Sequence, residues 1–293
     1  MRETIVARAP AKVNLHLEVL YQREDGYHEI ETIFQALDLY DTITIEATRG
    51  PIHVTCEHPG VPNDRTNLCH RAAKMVRNRR GVDAGASIRI EKNIPVAAGL
   101  GGGSSDAAAT LLAVQRLWGL ELDDDELLHM ATTLGADVPF FLRGGVALGR
   151  GIGEQLTPLN ASGRGVFLLV TPPMALSAAD AYKGLRMGLT RHTPKVNLQT
   201  IKALLSRFPD RMWPGHNRLA DYVFPSHPQL RRLHLELLDT RPRLAMLSGS
   251  GPTVYAVYDT IEEAEGARER LSPTGYATRI ARPIRHGVTL IDS

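Results

Sequence analysis

The sequence predicts an α+β fold in two domains. Strand-like and helix-like runs are mixed along the 293 residues without strict alternation, which disfavours a doubly wound parallel sheet. The length suits two ordinary domains around separate cores. Composition turns small and polar at Leu159-Asn160-Ala161-Ser162-Gly163, and a boundary there divides the chain into residues 1–160 and 161–293.

Val13, Leu15, Leu17 and Val19 alternate with Asn14, His16 and Glu18, the period of two of a half-buried strand. An unbroken period puts Lys12, Asn14 and His16 on one face. Asp25-Gly26 supplies a turn, and strand-like runs follow at Ile30 to Leu39, Thr42 to Ala47 and Ile52 to Cys56. Asn67 to Arg80 reads as a helix and Ser87 to Glu91 as a short strand. The glycine-rich run Pro95 to Ala108 comes next. Beyond it Ala107, Leu111, Val114 and Trp118 recur at helical spacing until Gly119 stops the helix. Asp123-Asp124-Asp125-Glu126 opens another helix, with Leu127, Ala131 and Leu134 as its apolar stripe and Gly135 at its end. Val146 to Leu156 has strand character broken by glycines.

In the second half, Gly165 to Thr171 reads as a strand, and Ala178 to Leu185, Leu198 to Arg207 and Leu230 to Leu238 as helices. Arg243 to Asp259 reads as a hairpin turning at Ser248-Gly249-Ser250-Gly251. A helix at Ile261 to Leu271 and a strand at Ala277 to Pro283 close the chain.

Composition narrows the function classes. Hydrophobic residues at 43% and charged residues at 23% describe an ordinary soluble globular protein. A formal net charge of +2, with no long Lys/Arg block, argues against nucleic acid as a partner. Cys56 and Cys69 are too few for a disulfide scaffold and form no Cys-x-x-Cys pair. The opening MRETIVARAPAK lacks a signal-peptide apolar run, and Val166 to Val170 is far too short to cross a bilayer. The expectation is a cytoplasmic protein with no membrane partner; no motif speaks to oligomeric state.

The run PVAAGLGGGSSDAA holds four glycines and two serines between a strand and an amphipathic helix, which is no context for a linker. A plain turn needs one or two glycines. A loop whose N–H groups converge on an anion accounts for more of them, because glycines admit left-handed dihedrals and close backbone approach. The following helix then offers its free first-turn N–H groups to phosphate, with Ser104 or Ser105 as its cap. Phosphate cradle and structural turn both stay open at this point, the first favoured. No Lys follows as in a P-loop, and Gly99-Leu100-Gly101-Gly102-Gly103-Ser104 lacks the last glycine of a dinucleotide fingerprint.

Three motifs in order, PAKVNLHL (Pro10 to Leu17), the glycine run, and LSGSGPTVYA (Leu247 to Ala256), resemble the superfamily of galactokinase, homoserine kinase, mevalonate kinase and phosphomevalonate kinase. REDGYHEIETIF (Arg23 to Phe34) and LGADVPFFLRGG (Leu134 to Gly145) resemble its 4-diphosphocytidyl-2-C-methyl-D-erythritol kinase family, which acts in the non-mevalonate isoprenoid pathway. The similarity runs from about residue 8 to residue 156 and resumes near the third motif; residues 185 to 240 contribute little to it.

The resemblance implies an N-terminal ATP-binding domain like ribosomal protein S5 domain 2, a ferredoxin-like C-terminal substrate domain, and an active site in the cleft between them. It implies ATP as co-substrate, with Mg2+ held mainly through phosphates and no protein metal ligand assigned. Asp137, taken alone a turn residue, becomes the general base. Lys12, taken alone an exposed lysine, becomes its charged neighbour. Asn67, Lys92, Pro95, Gly99, Leu100, Gly101, Gly102, Gly103, Ser104 and Ser105 become the ATP site. Asn14 reaches the acceptor, Tyr27 stacks on cytosine, His28 bonds its edge, and Tyr182 covers the other side. Gly249, Ser250 and Gly251 hold substrate phosphates or close the site, a plain hairpin turn being the alternative. Three rival readings stay open: another superfamily kinase such as homoserine or mevalonate kinase, a dinucleotide-dependent oxidoreductase, and a non-catalytic nucleotide-binding module.

Overall fold

The computed structural model describes residues 4–159, 164–185, 203–206, 208–209, 213 and 215–291. Among these, two sheets form. The first contains β1 (Thr4–Gln22), β2 (His28–Thr48), β3 (Ile52–Cys56), β4 (Gly85–Glu91), β5 (Val146–Arg150), β6 (Gln155–Leu159) and β11 (Thr289–Ile291). Its main order is β11-β1-β2-β4-β3, with β5 on β2 and β6 on β5. The second is antiparallel, in the order β10 (Ala277–Ala281), β7 (Val166–Thr171), β9 (Val254–Tyr258), β8 (Leu244–Leu247).

Helices α1 (Leu68–Arg80), α2 (Gly102–Leu117), α3 (Asp124–Leu134) and α4 (Val138–Arg143) belong to the first half. Ala72 and Val76 of α1 and Leu111 and Val114 of α2 share a core with Ile43, Ile45 and Ile88 of the sheet. Each of the Val, Leu and Ile side chains among them contributes roughly 1.5–3 kcal/mol. A second cluster joins the two sheets: Val13, Leu15, Ile33 and Leu37 pack with Phe167, Leu169, Tyr255 and Val257. In the second half, α5 (Ala178–Gly184) and α6 (Ala220–Ser226) precede α7 (Pro228–Asp239) and α8 (Ile261–Leu271). Leu230, Leu233 and Leu237 of α7 and Ala264, Ala267 and Leu271 of α8 pack with Leu168 and Ala256 of the second sheet.

The α+β expectation holds, and most elements fall where periodicity put them. The runs Ile30 to Leu39 and Thr42 to Ala47 join into β2, because β1 pairs along its whole length. The helix expected at Leu198 to Arg207 lies largely outside the described residues, as does most of the segment Leu159 to Gly163. Strand β11 pairs with β1, so the last described strand belongs to the first sheet, and Ala277–Ala281 is not the final strand.

Two local expectations are corrected. His16 does not share the face of Lys12 and Asn14. The β1–β2 register shifts between Asn14 and His16, and this bulge turns the following residues over. Leu17 then faces the same cavity as Lys12 and Asn14, while His16 points to the opposite side. Neither Ser104 nor Ser105 caps α2. The cap is Gly101 at φ +73°, with no side-chain bond, so the helix starts before the serines are reached.

A candidate kinase active site

Two cavities meet at the glycine run. One, of about 350 Å³, is bordered by Asn67, Lys92, Pro95, Gly99, Gly101, Gly102, Gly103 and Ser104. The other, of about 590 Å³, is bordered by Lys12, Asn14, Tyr27, His28, Asp137, Tyr182, Gly249 and Ser250. Gly99, Gly101 and Ser104 border both. The expected ATP residues and the expected acceptor residues therefore separate into adjoining spaces with the loop as the common wall.

The loop is shaped by close approach. A Cβ on Gly101 would lie 2.6 Å from the Phe141 ring, and one on Gly99 would lie 2.1 Å from Ser248 O. Both have positive φ, +76° at Gly99 and +73° at Gly101. Because α2 starts at Gly102, its first-turn N–H groups have no partner within the helix, and Gly102, Gly103 and Ser104 border the first cavity. Leu100 turns its side chain into the core and gives its carbonyl to Lys12 N at 3.0 Å. Ser105 is fully buried, and its Oγ has no hydrogen-bond partner in the protein. Neither side chain borders the first cavity.

Asp137 is the residue before α4 and makes no capping bond, so its carboxylate is left to face β1. There Lys12 Nζ lies 3.3 Å from Asp137 Oδ2 and donates to Asn14 Oδ1 at 2.9 Å. Asn14 Nδ2 donates to Thr32 Oγ1 at 2.7 Å, and Thr32 donates to His16 O. The Lys12 ammonium also sits over the Phe34 ring at 5.3 Å. Lys12 is 5% exposed and Asp137 32%, so the lysine forms the floor and the carboxylate opens to the cavity.

Lys92 is held from below. Its ammonium pairs with Asp41 and, at 2.8 Å, with Asp106 of α2, all three nearly inaccessible. Burial alone would lower the lysine's pKa, but Asp106 and Asp41 beside it raise it. Burial raises the Asp106 pKa, tempered by Lys92. Asp41 also accepts from Asn93 N at 2.6 Å and Ile94 N at 2.8 Å, fixing the entry to the glycine run. Asn67 caps α1, accepting from Cys69 N at 2.8 Å, and borders the first cavity as well.

His28 and Tyr182 also border the second cavity, their rings stacked with centroids 5.2 Å apart. Burial lowers the His28 pKa and, with the Asp137 charge added, raises that of the Tyr182 phenol. Tyr27 stands free at 61% exposure on the rim. Gly251 borders neither cavity; its N–H closes the turn onto Ser248 O at 2.8 Å. That turn is tied to the glycine run, Ser248 Oγ donating to Gly99 O at 2.9 Å.

Sequence reasoning missed Asp41, Asp106, Thr32 and Phe141. Asp106 lies inside the glycine-rich run, but nothing local distinguishes it from a helix-start aspartate. Asp41 meets Lys92 across 51 residues, a pairing that only the sheet creates.

Residues 67–145 match the GHMP kinases N terminal domain and residues 195–277 the GHMP kinases C terminal domain. A 4-diphosphocytidyl-2-C-methyl-D-erythritol kinase of Geobacter metallireducens is 41% identical over 272 residues, covering 92% of this chain and 95% of its own. One from Alkaliphilus metalliredigens is 39% identical over 269 residues, covering 90% and 91%. This chain belongs to the 4-diphosphocytidyl-2-C-methyl-D-erythritol kinase family. A crystal structure of 4-(cytidine 5'-diphospho)-2C-methyl-D-erythritol kinase superposes with a TM-score of 0.82 at 35% identity, covering 95% of this chain and 98% of its own. The homoserine kinase of Cytophaga hutchinsonii shares the fold, with a TM-score of 0.77 at 18% identity. Family membership carries the class of activity, an ATP-dependent small-molecule kinase. No helix among the described residues is long and apolar enough to cross a membrane.

Proposed function

We propose that this chain transfers the γ-phosphate of ATP to the 2-hydroxyl of 4-diphosphocytidyl-2-C-methyl-D-erythritol, giving the 2-phosphate and ADP, in the cytoplasmic non-mevalonate route to isoprenoids. The observation that carries the reading is the shared wall. A nucleotide in the smaller cavity points its terminal phosphate across Gly101 and Ser104 toward Asp137 in the larger one.

Phosphoryl transfer asks for positioning and charge stabilisation more than covalent chemistry. The first-turn N–H groups of α2 and the backbone of Gly99 to Gly103 hold the phosphates. The acceptor hydroxyl lies beside Asp137, which takes its proton as the new O–P bond forms. The bond from the γ-phosphorus to its bridging oxygen breaks, and ADP leaves. Lys12, 3.3 Å from that carboxylate, offsets the negative charge gathered between base and phosphate. Asn14 orients the lysine and reaches the acceptor. Lys92, anchored by Asp41 and Asp106, supports the nucleotide wall with Asn67 and Pro95.

The outer half of the larger cavity suits the cytidyl diphosphate. Tyr27 stacks on the base, with His28 and Tyr182 forming the opposite boundary. Residues 1–160 bind ATP in this reading, and residues 161–293 add Tyr182, Gly249 and Ser250 to the acceptor side. Among the described residues no three His, Cys, Asp or Glu side chains stand together as a metal cage. Mg2+, in this reading, would be held mainly through the phosphates and water and would neutralise phosphate charge there.

The test is coupled ADP release with ATP and Mg2+ across four acceptors: the cytidyl compound, the same polyol phosphate without the cytidyl group, mevalonate and homoserine. Turnover confined to the first is expected. Turnover only with another alcohol would discard the cytidyl site and keep the ATP site.

A further inference from the structure

Asn217 lies in a segment between the two domains' sheets and borders neither cavity. It is 5% exposed, and its whole amide is engaged. Nδ2 donates to Leu247 O at 2.9 Å and to Gly249 O at 2.7 Å. Oδ1 accepts from Leu219 N at 3.0 Å. Both donors of one side chain are therefore spent on carbonyls that flank Ser248.

The residues on either side of Asn217 are fastened to β1. Leu17 N donates to His216 O and Arg218 N to Leu17 O, both at 2.8 Å. Glu18 and His216 pair at 2.8 Å just beyond. The same strand carries Lys12 and Asn14. A continuous set of bonds thus runs from the catalytic strand through Asn217 to the turn that carries Gly249 and Ser250. Those two residues border the acceptor cavity and not the nucleotide cavity. Gly249 sits at φ +54°, where a Cβ would stand 3.5 Å from Asn14 Oδ1, so the turn approaches the Lys12–Asn14 pair closely.

We propose that Asn217 is a positioning residue that sets the height of the Gly249–Ser250 turn over the acceptor. It rests on the reading of the larger cavity as the acceptor site. Leu247 O and Gly249 O converge on one point, and a single amide answers both. Without that amide the two buried carbonyls repel each other, and the turn lifts. Ser248, bonded through Oγ to Gly99 O, keeps the foot of the turn on the glycine run, so the nucleotide keeps its contacts while the reacting hydroxyl loses the upper wall that holds it against Asp137.

Asn217→Asp tests this with little change of shape: it keeps the acceptor toward Leu219 N and removes the paired donors. In the full chain, kcat/KM for the acceptor alcohol should fall about 30-fold or more, with ATP Kd within about threefold. Hydrogen exchange should rise in a peptide covering Leu247 to Thr253 and stay unchanged in one covering Lys12 to Val19. Asn217→Ser, which keeps one shorter donor, should fall between the wild type and Asn217→Asp, and it carries the test if Asn217→Asp does not fold. A lower Tm with unchanged acceptor kinetics would overturn the proposal, as would a parallel loss of ATP affinity. Should the wild-type chain phosphorylate none of the acceptors, the functional reading fails, while the exchange contrast between the two peptides still decides the role of Asn217.

Discussion

Lys12 and Asp137 meet at 3.3 Å although 125 residues separate them, one on a buried strand and the other at the start of a short helix. The strand holds its lysine by Asn14 on one side and the Phe34 ring on another. Asp137→Asn keeps the shape and loses the proton acceptor. Turnover should drop by about 10²- to 10⁴-fold, with ATP affinity within a few fold. Steady-state kinetics beside calorimetric ATP binding would show it; retained turnover would remove Asp137 from the base role.

The glycine run depends on contact as well as on dihedral freedom. Gly101→Ala places a Cβ against the Phe141 ring at 2.6 Å and forces a positive φ on a side chain. Gly81→Ala carries the same kind of dihedral, φ +60°, but meets nothing within 4 Å. The second variant should lose about 1–2 kcal/mol of stability and keep ATP affinity. The first should lose more stability and most ATP binding. Equal affinity in the two variants would mean that the Gly101 contact does not shape the nucleotide site.

Tyr27 spends little on the protein's own packing, since it is 61% exposed on the rim. Tyr27→Ala should therefore leave stability nearly unchanged. Loss of a base stack worth about 1–3 kcal/mol corresponds to roughly a 5- to 150-fold rise in KM for the cytidyl substrate. KM for ATP should not follow. Equal shifts for both substrates would sink the stacking assignment.

His16, turned away from the cavity by the bulge, is buried with no partner for Nε2. Burial first, and then the charge of His216, lower its pKa from 6.5 to about 4, against the pull of Glu18 and Glu31. The unfolded chain binds this proton more readily, so stability falls as pH drops from 6.5 toward 4. The contribution is on the order of 3 kcal/mol across that window. In denaturant titrations, His16→Phe should remain more stable than the wild type on the acid side relative to neutral pH. Parallel pH profiles for the two proteins would refute it.

Much of the molecule was legible in advance because its signals are local. The helix at Asn67 to Arg80 shows in its cap and apolar spacing, and the structure starts it at Leu68 with Asn67 as cap. The helix at Ile261 to Leu271 matches residue for residue. The helix Val138–Arg143 is not legible in the sequence because six residues with Pro139 among them carry too little period. The strand at Thr289–Ile291 is not legible either, because three residues become a strand only when β1 is there to pair with them.

The sequence by itself determined the α+β class, the glycine run, and the residue types that phosphoryl transfer requires. These follow from short-range periodicity, backbone freedom and side-chain chemistry, which neighbouring residues carry among themselves. The tertiary structure alone decided that Lys12 reaches Asp137, that Lys92 is clasped by Asp41 and Asp106, and that His16 leaves the face of Asn14. Each of those depends on pairing register between distant segments. One extra residue in a ladder inverts every side chain after it, and no local signal announces where that residue falls.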